Sequence, residues 1–306
     1  MPSTGRFTSE AARTAYEAAY RDLETRWPLP SEDVRVETAY GPTHVRRSGT
    51  GTRTPLVLLH GLNGTGLSWH GVVRSLAADR VVYAPDVVGT AGRSEQTAAL
   101  RSADDYAAWG VQLLEGLGLE RAHVLGYSEG AWFAALLASG TPDRATDRAT
   151  DRATDRATDR VGALVLGEGI TALVRPDRKV VSRMVRAAAL PTARHLARLD
   201  EWLTPGVTLD DEDRALARAA LRYRRRTPWP SPLTDERLRA ITAPTLAFFG
   251  AATRLGDPVA AGRRVTDQVR GSRVELVPGG GHGVLWQLPD QVLPLVDGFL
   301  REHDDA

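Results

Sequence analysis

The sequence predicts an α/β protein built on a doubly wound, mostly parallel sheet with an inserted helical cap. Three observations predict it. Short continuous apolar runs alternate with helical segments along the chain, the pattern of parallel strands covered on both faces and joined by helices. A turn of the form G-x-S-x-G, Gly126-Tyr127-Ser128-Glu129-Gly130, stands between one such run and an apolar helical stretch. One connection, 170–243, is far longer than a simple crossover and reads as several Arg- and Ala-rich helices broken at Pro191, Pro205-Gly206 and Pro228 to Pro232.

In chain order, residues 8–26 carry Ala12, Tyr16, Ala19 and Leu23 at helical spacing and predict a surface helix ended by Pro28 and Pro30. Val34 to Tyr40 and Thr43 to Arg47 alternate apolar and polar residues around Gly41-Pro42, a hairpin signal. Buried strands are expected at Pro55–His60, Arg80–Asp86, Ala122–Leu125, Val161–Leu166, Thr245–Phe249 and Arg273–Val277. Helices are expected between most of them, at Trp69–Ala78, Ser102–Leu117, Ala131–Ser139, Pro258–Val269 and Pro289–Glu302. This divides the chain into an N-terminal helical extension (1–33), a core (34–169 and 244–306) and a helical cap (170–243). Within the core, 141–160 holds a Thr-Asp-Arg-Ala repeat. Its period is too short for a solenoid, and with no apolar residue larger than alanine it has nothing to bury. It reads as an expansion of a surface loop or helix end.

Composition narrows the function. The 306 residues are 42% hydrophobic and 25% charged, with a net charge of +1, so no electrostatic pull toward nucleic acid or an anionic membrane is expected. There are no cysteines, which excludes disulfides, thiolate metal sites and cysteine nucleophiles. Met1 to Glu10 shows no apolar signal region and no run is long enough to span a bilayer, so a cytoplasmic protein without membrane attachment is expected. Lys179 is the single lysine among 39 basic residues; the arginines spread over the whole chain and mark no site.

The chemistry centres on Ser128. A serine at the apex of a strand–turn–helix is pushed out of the sheet, the setting of a nucleophile elbow. A hydroxyl needs a base, a group that orients the base, and donors for the oxyanion. His282, in the Gly-rich loop Pro278 to Gly283 after the last strand, is the candidate base. The backbone N–H groups of Leu62, after the strand ending at His60, and of Glu129, after the nucleophile, are the candidate oxyanion donors. The Glu129 side chain either enters the pocket or is a polar turn residue. Trp202 and Trp229, in the cap, are candidate substrate contacts. No metal or organic cofactor is implied.

The ordered set His60-Gly61, Asp86 to Ser94, Gly126 to Gly130 and Gly281-His282 resembles the α/β-hydrolase superfamily, specifically its capped carboxylesterase-like branch, over nearly the whole chain after about residue 34. The resemblance implies that the Asp86–Ser94 loop is structural. It also implies a triad acid three or four residues past Gly250, where this chain has Thr253. Threonine cannot stabilise an imidazolium by charge. Two carboxylates could: Glu168, just past the strand Val161–Leu166 as in many haloalkane dehalogenases, and Asp257, which also reads as a helix N-cap before Pro258; the remaining alternative is a site with no triad acid. The expected activity is hydrolysis of an ester or related acyl bond in a small, largely apolar substrate. The alternatives are a cyclase, lyase or acyl transferase on the same fold, or a non-catalytic binding protein.

Overall fold

The computed structural model describes residues 4–140, 159–189, 192–207 and 209–304; the Thr-Asp-Arg-Ala tetrads at 146–157 lie outside the described residues. The first half of the chain forms β1 (Arg6–Phe7), α1 (Glu10–Glu24), β2 (Ser31–Val36), β3 (Thr43–Ser48), β4 (Arg53–Leu59), a 3-10 turn (Gly66–Trp69), α2 (Val73–Leu76), β5 (Arg80–Pro85), α3 (Ala103–Gly116), β6 (Ala122–Tyr127) and α4 (Glu129–Ser139). The second half forms β7 (Val161–Gly167), α5 (Ile170–Leu173), α6 (Arg178–Ala189), α7 (Ala193–Leu203), α8 (Asp211–Ala220), β8 (Tyr223–Arg224), α9 (Asp235–Arg239), β9 (Thr245–Gly250), α10 (Pro258–Gln268), β10 (Arg273–Val277), α11 (Val284–Gln287) and α12 (Pro289–Glu302).

Among the described residues, eight strands form one sheet in the order β10-β9-β7-β6-β4-β5-β3-β2. Only β3 runs against its neighbours β2 and β5; the other pairings are parallel. Alternate residues of β4 enter opposite cores. Val57 and Leu59 pack with Trp109 and Leu113 of α3 and Trp132 of α4. Leu56 and Leu58 pack with Tyr16 and Tyr20 of α1, Val73 of α2 and Val296 of α12. Both faces are therefore covered, which is why these strands read as unbroken apolar runs. β4 pairs with β5 on one side and β6 on the other. The loops leaving β4 and β6 thus meet at the switch point of the sheet, where open α/β sheets place their sites.

The buried Asp86 fastens the loop that follows β5. It accepts from the N–H groups of Gly66 at 2.8 Å and Arg93 at 2.7 Å, and Ser94 Oγ donates to its carbonyl at 2.6 Å. Burial opposes its charge, but His44 beside it and these N–H groups hold its pKa below the usual carboxylate value.

Several boundaries differ from the sequence reading. The expected helix Trp69–Ala78 is instead the 3-10 turn and the short α2, parted by His70, Gly71 and Val72. The hairpin begins at Ser31 rather than Val34, so β2 takes in residues assigned to the extension. The N-terminal segment also reaches the 170–243 insertion: β1 pairs antiparallel with β8, and α1 packs on α8. Among the described residues no helix is long and apolar enough to cross a membrane.

Candidate active site

The elbow is shaped by close approach. A Cβ at Gly126 would stand 2.1 Å from the Gly130 carbonyl oxygen, and one at Gly130 would stand 1.9 Å from the Leu59 carbonyl oxygen. Glycine at both positions lets β6, α4 and the end of β4 touch. Ser128 sits at the turn with φ 56° and ψ −117°, and its N–H donates to the Gly167 carbonyl at 2.8 Å. Among the described residues, the non-glycine positions with positive φ are Asn63, Ser128 and Glu168. They fall in the loop after β4, at the elbow and just after β7. Backbone strain of this kind persists where the surroundings enforce it and gathers at functional sites.

Glu168 is fully buried and meets His282: the imidazole Nδ1 lies 3.0 Å from Glu168 Oε2. The same oxygen accepts from Thr253 Oγ1 at 2.8 Å, and Oε1 accepts from the Gly250 N–H at 2.5 Å. Thr253, in the position where a carboxylate was expected, thus supports a carboxylate that arrives from β7. A carboxylate against Nδ1 fixes the proton there and leaves Nε2 as the basic nitrogen. Asp257 is elsewhere. Its Oδ1 accepts from the N–H groups of Val259 and Ala260 at 2.9 and 3.0 Å, so it caps α10 ahead of Pro258. Tyr127 joins the elbow to the histidine loop, its hydroxyl donating to the His282 carbonyl at 2.5 Å.

The loop after β4 lies against Ser128. A Cβ at Gly61 would stand 3.3 Å from Ser128 Cβ and 3.9 Å from its Oγ. The buried His60 ring pins this loop. Its Nε2 accepts from the Val87 N–H at 3.0 Å, so Nδ1 carries the proton and donates to the Gly61 carbonyl at 2.9 Å. Burial lowers the His60 pKa and keeps the ring neutral. Leu62 follows in the same turn. Glu129 is the first residue of α4, where N–H groups lack intrahelical acceptors and the helix dipole favours negative charge.

Residues of the 170–243 segment touch the loop that carries His282. Gln287 Nε2 donates to the Pro205 carbonyl, and a Cβ at Gly283 would stand 2.6 Å from Val207 Cγ2. Trp202 is half-buried between the guanidinium groups of Arg183 and Arg254, 4.6 and 5.7 Å from its ring centroid. It lines a cavity of about 460 Å³ together with Thr253 and Asp257. Trp229 is 64% exposed, and Arg225 lies 5.1 Å from its ring centroid. The sequence reading missed two partners. One is Thr253 as a donor to Glu168. The other is Arg225, which donates from Nη1 to the buried Glu129 at 2.5 Å. Nothing in its local sequence sets Arg225 apart from the other arginines.

A doubly wound sheet with a serine elbow, a carboxylate–histidine pair and a glycine loop at its switch point defines an α/β-hydrolase. The model of the alpha/beta hydrolase family matches residues 56–295, and the chain belongs to that family. It is an enzyme of the α/β-hydrolase fold. The chain is 27% identical to carboxylesterase YbfK of Bacillus subtilis over 298 residues, 92% of each protein. The crystal structure of that carboxylesterase, CesB (YbfK), superposes with a TM-score of 0.82 at 26% identity, covering 95% of this chain and 98% of that one. The crystal structure of naproxen esterase from Bacillus subtilis gives 0.84 at 21% identity, covering 96% and 99%, a likeness of fold.

Proposed function

We propose that the protein is a serine esterase that cleaves an ester or related acyl bond of a small, largely apolar molecule, with Ser128, His282 and Glu168 as its triad. The observation that carries this reading is the Glu168–His282 contact of 3.0 Å beside the strained Ser128 turn. Ser128 Oγ attacks the acyl carbon while His282 Nε2 takes its proton. Glu168, itself held by Gly250 and Thr253, keeps the Nδ1 proton in place and stabilises the imidazolium. The N–H groups of Leu62 and Glu129 donate to the oxyanion, each worth about 3 kcal/mol in the transition state. His282 returns the proton to the leaving alcohol, and water then releases the acyl group by the same steps in reverse. Residues 170–243 act as the cap that shapes the pocket and limits water, with Trp202 and Trp229 as its aromatic contacts. The similarity to carboxylesterase YbfK supports an ester substrate.

Hydrolysis of a short nitrophenyl ester tests the reading. Ser128→Ala and His282→Ala are each expected to lower kcat by about 10⁴-fold or more with the fold intact by circular dichroism. A Ser128→Ala variant that turns over like wild type would overturn it.

A further inference from the structure

Glu129 presents a problem to the site it helps to form. Its N–H faces the oxyanion in the mechanism above, yet its side chain places a carboxyl group one residue from the nucleophile, where the reaction creates an anion. The side chain is 3% exposed. Arg225 Nη1 donates to its Oε1 at 2.5 Å, whereas Oε2 is buried with no hydrogen-bond partner. The guanidinium is itself fixed from behind. Its Nη2 donates to the Pro228 carbonyl at 2.9 Å and its Nε donates to Thr227 Oγ1. Thr227 in turn rests on the Asp86 loop, where a Cβ at Gly89 would stand 2.5 Å from its Cγ2. The cation is thus delivered to Glu129 by a segment anchored on the core.

We propose that Arg225 is a positioning residue for catalysis: it cancels the charge of Glu129 and holds that carboxylate aside, so that the Glu129 N–H meets the oxyanion without a competing anion. This rests on the esterase reading and its oxyanion hole. Like charges near one another in a partly desolvated site repel strongly, so an unpaired Glu129 would raise the transition state more than the ground state. The buried titratable groups that feel Arg225 (Tyr106, Tyr223 and His60) stay neutral. Burial pushes Tyr106 and Tyr223 up to about 12 and pushes His60 down. Burial also raises Glu129, against the opposing pull of Arg225. Without Arg225 it rises further, so the harmful charge appears only as pH increases.

The test is kcat and KM on one ester from about pH 6 to about pH 9 for wild type, R225Q, R225K and R225Q/E129Q, with thermal melting of each. R225Q is expected to lose roughly 10- to 100-fold in kcat with little change in KM, the deficit against wild type widening as pH rises. R225K recovers most of the rate because it keeps the charge. R225Q/E129Q runs at least about tenfold faster than R225Q at the upper end, because the uncompensated anion is gone. A double variant as slow as R225Q, or an R225Q deficit that is flat with pH and follows melting temperature, overturns the proposal and leaves Arg225 a cap anchor. Wild type with no ester turnover overturns the esterase reading and this proposal with it; an active wild type with a slow double variant overturns the proposal alone.

Discussion

Thr253 occupies the position where a carboxylate was expected, and its hydroxyl donates to Glu168 at 2.8 Å. Two anions side by side would repel; a hydroxyl instead adds a donor to a carboxylate that also accepts from Gly250 and faces His282. Thr253→Val removes that donor at nearly constant volume. It is expected to lower kcat by about tenfold, the worth of one hydrogen bond to a charged group, and an unchanged kcat for the ester would show that Glu168 is held without it. The Ser128 turn and the glycine loop that carries His282 were legible in the sequence because their backbone requirements are local: the elbow glycines lie within two residues of the serine, and glycines flank the histidine. Glu168 was legible only as one of two choices. The contact that selects its partner joins residues 114 positions apart. Arg225 was not legible, since the chain carries arginine everywhere and pairing is decided in space.

The inner strands β4, β7 and β9 were predictable because burial on both faces leaves runs with little polar interruption; β10, also expected to be buried, is instead a mostly exposed edge strand that carries Arg273 and Glu275. Short elements were not. The 3-10 turn at Gly66–Trp69 and α2 depend on caps and tertiary contacts, such as the Thr65 side chain that accepts from Leu67 N, rather than on periodicity. The β1–β8 pair spans two residues on each side and joins segments over 200 positions apart, beyond any local pattern. The elbow itself is fixed by contact distance. Gly130→Ala places a methyl 1.9 Å from the Leu59 carbonyl, so β4 or α4 must shift. We expect a loss of about 3 kcal/mol in urea unfolding together with lost ester turnover; a wild-type midpoint would show that the elbow relaxes freely.

At the scale of the whole molecule, the far end of the sheet is closed by the C-terminal segment. Asp304 accepts from Arg80 Nη1 and Arg53 Nη1, both at 2.8 Å, and lies 3.1 Å from His123 Nε2. Although burial opposes its charge, hydrogen bonds from Arg53 and Arg80 hold the Asp304 pKa at about 2; burial lowers that of His123 to about 4. Both shifts act in the same direction. His123 is neutral in the folded state while the unfolded chain protonates near 6.5, so its contribution is present above that value and fades as pH falls toward about 4. Asp304 contributes above its usual 3.8 and loses that contribution as pH falls through about 2. Asp304→Asn is therefore expected to lower the melting temperature at pH 7 by several degrees and to flatten its fall between about pH 4 and about pH 2; identical acid limbs in both proteins would contradict this.

The central claim is that Glu168, not Asp257, stands behind His282 and Ser128. The rate of labelling by a fluorophosphonate probe tests this directly, because under the proposed mechanism it reports how readily Ser128 attacks. Ser128→Ala should not label, Glu168→Gln should label slower than wild type by up to about 10⁴-fold, and Asp257→Asn should stay within about twofold of wild type. A Glu168→Gln variant that labels at the wild-type rate while Asp257→Asn slows would contradict the account.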